Sequence, residues 1–168
     1  MTPPAPRPPV VAVGELPPSV AFLLSRLGYE VSRELGEALA ELDLEHREFG
    51  LLRLLADKEG HSQRALGAML QIPPNRMVTL VDGLEKKGFV ERRTHPDDRR
   101  AYALALTEDG NAALGRAFQA AFGVEARTCE PLDAAEREQL LTLLRKIAEA
   151  GIERGGTPPG MHPGMVER

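Results

Sequence analysis

The sequence predicts a mainly α-helical fold with one small β-hairpin. Apolar residues recur at three- and four-residue spacings along most of the chain, which is the period of helices with one buried face. The spacing falls to two residues between about residues 89 and 106, as expected for two short strands. Because the chain has 168 residues and 42% of them are hydrophobic, we expect one compact domain with at most a small appendage.

The two ends of the chain differ in composition from its middle. Residues 1–17 are rich in proline and residues 152–168 in glycine and proline, so we expect both to be flexible tails. The segment 18–44 predicts a long N-terminal helix for which Ser19 is a candidate N-cap. Its apolar stripe consists of Val20, Leu23, Leu24, Leu27, Val31, Leu35, Leu39 and Leu42.

Residues 45–106 predict three further helices followed by the hairpin. The second helix runs from about residue 45 to 57, and a short third helix starts at Ser62, whose hydroxyl can cap it. The fourth helix begins after Ile72-Pro73-Pro74 and ends at Gly88, because a glycine after a basic last turn is a common helix stop. The hairpin pairs residues 89–93 with residues 101–106 across a turn rich in polar residues and proline.

Residues 107–151 predict two C-terminal helices. Thr107 is a candidate N-cap for the fifth helix, which continues until Pro131 prevents further helix. Asp133 and Glu136 form a capping-box pattern for the sixth helix, and Gly151 is its predicted end. The apolar stripes of the first, fifth and sixth helices exceed what one small domain can bury, which favours a dimer formed through the N- and C-terminal helices.

The charge of the chain is unevenly distributed. The net charge is -4, but the stretch from His61 to Leu106 contains eight basic and five acidic residues. A basic middle region between acidic flanks is typical of a DNA-reading module within an acidic scaffold. The same charges also fit ordinary solvated faces, so this observation alone does not decide between the two interpretations.

The order of the predicted elements indicates a winged helix-turn-helix, in which the helix after the tight turn enters the major groove of DNA. In the fourth helix the apolar residues share one face, which leaves Asn75, Arg76, Thr79 and Asp82 pointing outward. Asparagine and arginine can make paired hydrogen bonds to adenine and guanine edges, and a threonine methyl can contact thymine. The fourth helix is therefore the candidate recognition helix.

Three motifs resemble the multiple-antibiotic-resistance regulator (MarR) family. They are the helix end Leu84-Glu85-Lys86-Lys87-Gly88, the hairpin sequence Asp98-Arg99-Arg100, and the helix restart Leu106-Thr107-Glu108-Asp109-Gly110. The resemblance extends over about residues 18–151 in helix order and is specific over about residues 60–110. It implies a cytoplasmic transcription regulator that acts as a homodimer whose first and last helices interlock. A repressor is expected, although the sequence alone does not distinguish a repressor from an activator.

The resemblance also implies which residues contact DNA. Arg99 would reach the minor groove and Asp98 would hold the wing arginines, while Ser62 and Gln63 would meet backbone phosphate at a helix N-terminus. The complete predicted set is Ser62, Gln63, Pro74, Asn75, Arg76, Thr79, Arg92, His95, Asp98, Arg99 and Arg100. The family resemblance further implies a small aromatic or phenolic effector, bound near the first, second and fifth helices.

Two features depart from the family pattern. Gly83 stands where many members have arginine, and Pro73-Pro74 stands where many have a polar cap, so an operator sequence cannot be transferred from relatives. Peroxide-sensing members carry their cysteine in the first helix, whereas Cys129 lies near the end of the fifth. We expect Cys129 to be a buried structural thiol, since a single cysteine allows no internal disulfide.

Other function classes have weaker support in the sequence. The four histidines are scattered without helical metal-ligand spacing, and we find no glycine-rich phosphate loop, so no cofactor, metal or enzymatic activity is predicted. His95 beside Asp97 and Asp98 is the one grouping that could suggest a metal site or acid-base chemistry, but a proline turn of this kind is more often exposed to solvent. A winged helix can also bind proteins rather than DNA, and this alternative stays open. No apolar run suggests a signal peptide or a membrane span.

Overall fold

The computed structural model describes residues 19–57, 61–70, 72–94 and 102–153. Within these residues the chain forms six helices and one two-stranded antiparallel sheet. In chain order the elements are α1 (Val20–Ala40), α2 (His46–Asp57), α3 (Gln63–Met69), α4 (Pro74–Lys86), β1 (Val90–Thr94), β2 (Tyr102–Leu106), α5 (Glu108–Thr128) and α6 (Ala134–Glu153). The mainly helical fold with a small hairpin is confirmed, while the predicted tails and the hairpin tip lie outside the described residues.

Local side-chain hydrogen bonds set several helix starts where the sequence predicted them. Ser19, Ser62 and Thr107 each accept a backbone N–H from the first turn of the helix that follows. At the start of α6, Asp133 and Glu136 exchange backbone-to-carboxylate hydrogen bonds of 2.9 Å in both directions, which is a complete capping box. These four predicted caps are therefore confirmed.

The end of α4 is a Schellman motif. Gly88 has φ of +72°, its N–H donates to the Glu85 carbonyl at 2.9 Å, and the Phe89 N–H donates to the Leu84 carbonyl at 3.0 Å. Glycine is favoured here because this left-handed backbone conformation brings a Cβ close to neighbouring backbone atoms. The predicted helix stop at Gly88 is confirmed, and it turns the chain directly into β1.

The hydrophobic core lies among α2, α3, α4, the hairpin and the inner face of α5. Its fully buried side chains include Leu51, Leu52, Leu55, Leu66, Met77, Val81, Leu84 and Leu104. Burial of each such side chain stabilises the fold by about 1.5–3 kcal/mol relative to exposure. The predicted inward faces of α2 to α4 are therefore the faces that hold the helix-turn-helix together.

The hairpin is covered on more than one side. Its register pairs Val90 with Leu106 and Thr94 with Tyr102, and the four residues 103–106 of β2 are all buried. Besides β1, strand β2 contacts the segment before α3, because the Leu104 N–H donates to the His61 carbonyl and Ser62 forms a bridge with Ala103. The start of α3 is thereby fixed to the hairpin.

Two expectations at the C-terminal side are wrong. The sixth helix does not end at Gly151 but continues through it to Glu153. Gly151 therefore does not serve as a stop, since no backbone turn is made at that position. Cys129 is half-buried rather than buried, because it lies at the C-cap of α5, where the chain leaves the core.

The described part of α6 has no buried side chain, although one of its faces is rich in leucine. Leu140, Leu141, Leu143, Leu144 and Ile147 are between 36% and 51% exposed. Several apolar residues of α1 are exposed as well, among them Val20, Phe22, Leu23, Leu24 and Leu27. A single copy of the chain thus leaves apolar faces of both terminal helices in contact with water.

The start of α5 packs directly on the end of α4. The Thr107 hydroxyl donates to the Gly88 carbonyl at 2.6 Å and accepts the Gly110 N–H at 2.9 Å, while the Thr107 N–H donates to the Phe89 carbonyl at 3.1 Å. Gly110 lies against this junction, and a Cβ added to it would overlap the Phe89 carbonyl group, whose carbon would be 2.8 Å away. Only glycine fits because the opposing atoms belong to backbone.

We expect Gly110→Ala to destabilise the protein by about 3 kcal/mol or more, because the α4–α5 junction must open to accept the methyl group. The measurement is urea unfolding at one fixed protein concentration. Gly115→Ala is the matched control in the same helix, since a Cβ there meets nothing within 4 Å. It should be neutral or stabilising by up to about 1 kcal/mol. Equal effects of the two substitutions would contradict this account.

Candidate nucleic-acid interface

The turn between α3 and α4 is tight and internally packed. The Ile72 N–H donates to the Gly67 carbonyl at 2.9 Å, and a Cβ on Gly67 would lie 3.3 Å from the Ile72 carbonyl oxygen. Ile72 itself is buried and anchors the turn to the core. The close approach of backbone to backbone at this point fixes the angle between α3 and α4.

The N-terminus of α4 has no side-chain cap. Pro73 occupies the N-cap position and makes no side-chain hydrogen bond, and Pro74 is the first helical residue. Proline suits that position because the missing N–H would have no helical partner. The following residues, Asn75 and Arg76, are exposed in the first turn of the helix, where the helix dipole favours a negatively charged partner.

The two faces of α4 differ sharply in burial. Met77, Val81 and Leu84 are buried and Leu80 is half-buried, whereas Asn75, Arg76, Val78 and Thr79 are exposed. The Thr79 hydroxyl donates to the Asn75 carbonyl at 3.3 Å, so this hydroxyl is already engaged with its own helix. Of the four α4 residues predicted to point outward, Asn75, Arg76 and Thr79 are exposed, whereas Asp82 is half-buried.

Arg92 of β1 connects the hairpin with both helices of the helix-turn-helix. Its guanidinium donates to Asp82 at 2.7 Å, to Glu85, and to the Gln63 side chain of α3 at 3.4 Å. Only 26% of its side chain is exposed. This arrangement gives Arg92 a positioning role, since it holds hairpin, α4 and α3 together, and its predicted contact with DNA stays a prediction.

Lys87 fixes the other end of α4. Its ammonium group donates to the Asp43 carbonyl at 2.6 Å and to the Glu48 carboxylate at 2.9 Å. Glu48 is 6% exposed and also accepts the Glu45 N–H, while Asp43 has φ of +54° in the loop between α1 and α2. The sequence pattern identifies Lys87 only as a basic residue at the end of a helix and does not predict these partners. The available signal was an acidic residue, Glu48, beside the apolar face of α2.

Seven of the eleven predicted DNA-contacting residues lie among the described residues. Four others, His95, Asp98, Arg99 and Arg100, lie outside the described residues. Ser62 is occupied as the cap of α3, with its hydroxyl accepting the Ala65 N–H at 3.2 Å, and Gln63 is half-buried next to Arg92. The remaining exposed members are Pro74, Asn75, Arg76 and Thr79.

Other kinds of site have no support among the residues with described positions. Three or more His, Cys, Asp or Glu side chains do not come together there in a way that could hold a metal ion. Among the described helices we find no candidate transmembrane span. Cavities of about 410 and 540 Å³ flank α4, and one of about 240 Å³ lies between α1 and α5.

Comparison with protein families and known proteins gives one consistent result. The MarR family model matches residues 44–102. A putative transcriptional regulatory protein for the hcr operon of Thauera aromatica is 36% identical over 99 residues, which cover 59% of this chain and 60% of that protein. The HTH-type transcriptional repressor Rv2887 of Mycobacterium tuberculosis is 30% identical over 128 residues, covering 76% of this chain and 92% of that protein.

Solved structures with the same fold include regulators bound to DNA and to ligands. The repressor CouR bound to a 23-mer DNA duplex superposes with a TM-score of 0.70 at 31% identity, covering 83% of this chain and 99% of that one. CouR from Rhodococcus jostii RHA1 bound to p-coumaroyl-CoA has a TM-score of 0.64 at 32% identity, covering 82% and 94% of the two chains. The fold is therefore that of winged-helix transcription regulators.

We expect Lys87→Met to lower the free energy of unfolding by about 2 kcal/mol, because it leaves the buried Glu48 carboxylate without its cationic partner. Lys86→Met is the matched control, since Lys86 is the exposed neighbour, and it should change stability by less than about 0.5 kcal/mol. Both are measured by urea unfolding. Adding Glu48→Gln to Lys87→Met should recover part of the loss, whereas strictly additive effects would argue against a coupled pair.

Proposed function

The chain belongs to the MarR family of transcription regulators, and from this premise we propose that it is a repressor that binds double-stranded DNA as a homodimer. The winged helix-turn-helix of residues 45–106 would read a pseudo-palindromic operator. The helices in residues 18–44 and 107–151 would form the dimer. Neither catalysis nor a cofactor is part of this proposal.

The burial pattern of α4 is the main support for the proposal that the chain binds DNA. A recognition helix must pack one face on its own domain and present a slim polar face to base edges. Met77 and Val81 are fully buried, while Asn75 and Arg76 are exposed in the first turn. These two side-chain types can form paired hydrogen bonds to adenine and guanine in the major groove.

The electrostatics of α4 also support binding to DNA. Asp82 and Glu85 would repel phosphate if their charges were free, but both are paired with Arg92. The exposed first turn of α4 contains Arg76 and no acidic residue. The acidic residues that outnumber the basic ones in this chain lie mainly outside the stretch from His61 to Leu106. The proposed DNA-binding face is therefore less acidic than the protein as a whole.

The apolar faces of α1 and α6 support the dimeric part of the proposal. Leu23 and Leu27 of α1 are 44% and 46% exposed, and Leu141 of α6 is 48% exposed. A second copy that covers both faces would remove this apolar area from water. With the dimer axis between the two DNA-binding modules, the two copies of α4 would lie about one turn of DNA, or about 34 Å, apart.

A small aromatic or phenolic effector would control the affinity for DNA. This part of the proposal draws on relatives, since one CouR structure contains p-coumaroyl-CoA and one structure of Rv2887 contains p-aminosalicylic acid. A ligand between the dimer helices and the DNA-binding module would change the spacing of the two α4 helices. The cavity between α1 and α5, which Leu27, Val31 and Arg127 help to line, is one place from which it could act.

We expect the full chain to bind a discrete palindromic fragment, selected from genomic DNA that includes the region upstream of its own gene. Arg76→Ala should weaken this binding at least tenfold and make it less sensitive to salt, because one contact with DNA is lost in each half of the operator. Arg116→Ala removes the same charge from an exposed position of α5 and is the matched control. Fluorescence anisotropy over a salt series is the measurement.

Two results would contradict the DNA-binding proposal. One is the absence of any preferred fragment, and the other is equal loss of affinity in Arg76→Ala and Arg116→Ala. The first would favour the alternative that this winged helix binds a protein rather than a specific DNA sequence. The second would show that Arg76 does not make a specific contact with DNA.

We expect Leu141→Glu combined with Leu144→Glu to weaken dimerisation at least tenfold, because each copy would then place two charges in the apolar contact. Thr142→Glu introduces a charge on the opposite side of the same helix, and it should leave the dimer intact. Sedimentation equilibrium measures the difference. A double variant that stays as dimeric as the parent protein would show that this face of α6 is not the dimer contact.

A further inference from the structure

We propose that Val78 is a specificity-determining residue that contacts the 5-methyl group of a thymine in each half of the operator. This inference rests on the proposed function and adds to it a chemical identity for one base. The sequence pattern of α4 predicts base contacts by its polar residues and does not single out Val78. Its exposure becomes visible only in the folded domain.

Val78 is an apolar side chain on the solvent side of a helix that otherwise buries its large apolar residues. It is 44% exposed, whereas Met77 and Val81 on either side are at most 1% exposed. The other large apolar side chains that are exposed within the described ranges lie in α1, β2, α5 and α6. Within the helix-turn-helix itself, Val78 is the described large apolar side chain that faces solvent.

The position of Val78 is suited to base contact. It follows Asn75 by three residues and precedes Asp82 by four, so all three side chains lie on neighbouring parts of the exposed helix surface. Asn75 is in the first turn, which is the part of a recognition helix that lies nearest to the bases. A side chain one turn further along would meet a neighbouring base pair.

The groups around Val78 favour apolar contact over hydrogen bonding. The Asp82 carboxylate, which could accept the amino group of cytosine, is held by Arg92 at 2.7 Å. The Thr79 hydroxyl donates to the Asn75 carbonyl at 3.3 Å, which leaves its methyl as the other apolar group nearby. Thymine is the base whose major-groove edge carries a methyl group, so it is the base that this surface fits.

The test begins with duplexes that contain a random central segment, from which the full wild-type chain selects its preferred sequence. Each thymine of that sequence is then replaced singly by deoxyuridine, which removes only the 5-methyl group. For the wild-type chain we expect one position in each half-site at which the replacement weakens binding about threefold to fivefold. Anisotropy titrations of the full chain measure these affinities.

Val78→Ala should remove that sensitivity. The variant should bind the thymine duplex about threefold to fivefold more weakly than the parent protein, and it should lose nothing further from deoxyuridine at the same position. Thr79→Ser removes the other methyl on this surface and tests the competing assignment. Loss of the deoxyuridine effect in Thr79→Ser, with the effect retained in Val78→Ala, would assign the contact to Thr79 and overturn the inference. Circular dichroism checks that the variants are folded, as expected for substitutions of exposed side chains.

The outcomes separate this inference from the proposed function. If the parent protein binds a preferred duplex but Val78→Ala retains the same sensitivity to every deoxyuridine, Val78 does not read thymine, although the chain still binds DNA. If the selected sequence has no thymine whose methyl matters, the inference is also overturned. If the parent protein selects no sequence at all, the proposed function fails and the inference fails with it.

Discussion

Burial of Met77, Val81 and Leu84 fixes which side of α4 faces solvent, and the rest of the domain is arranged around that burial. Two ionic contacts constrain the position of the helix further, because Lys87 ties the end of α4 to the loop after α1 and Arg92 ties its middle to the hairpin and α3. The exposed face of α4 is thus held in place by ionic contacts within the protein.

A second junction joins the DNA-binding module to the helices that would form the dimer. The chain leaves α4 through Gly88, which has a left-handed backbone conformation. Thr107, which caps α5, hydrogen-bonds to the carbonyl groups of Gly88 and Phe89. Because Gly110 brings the α5 backbone against the Phe89 carbonyl, little relative movement is possible there without breaking contacts. A movement of α5 in response to an effector would therefore be passed directly to the end of α4.

The two ionic contacts, Lys87 with Glu48 and Arg92 with Asp82, contribute differently to the free energy of unfolding. Glu48 is almost fully buried, so removal of Lys87 leaves an unpaired charge in the interior and lowers the free energy of unfolding. Asp82 is half-exposed, so its pair with Arg92 contributes less free energy and more to geometry. Such a division suits a binding module, since the position of a recognition helix matters to function even where its ion pairs add little stability.

Short-range patterns in the sequence specify the helices, the hairpin, the caps at Ser62, Thr107 and Asp133, and the stop at Gly88, because each depends on groups close together along the chain. Tertiary packing sets the pairing of Lys87 with Glu48, which are 39 residues apart, and the partners of Arg92. It also decided that Gly110 must be glycine and that Val78 is exposed. Residue spacing defines the faces of a helix, but what lies against a face depends on how distant segments pack.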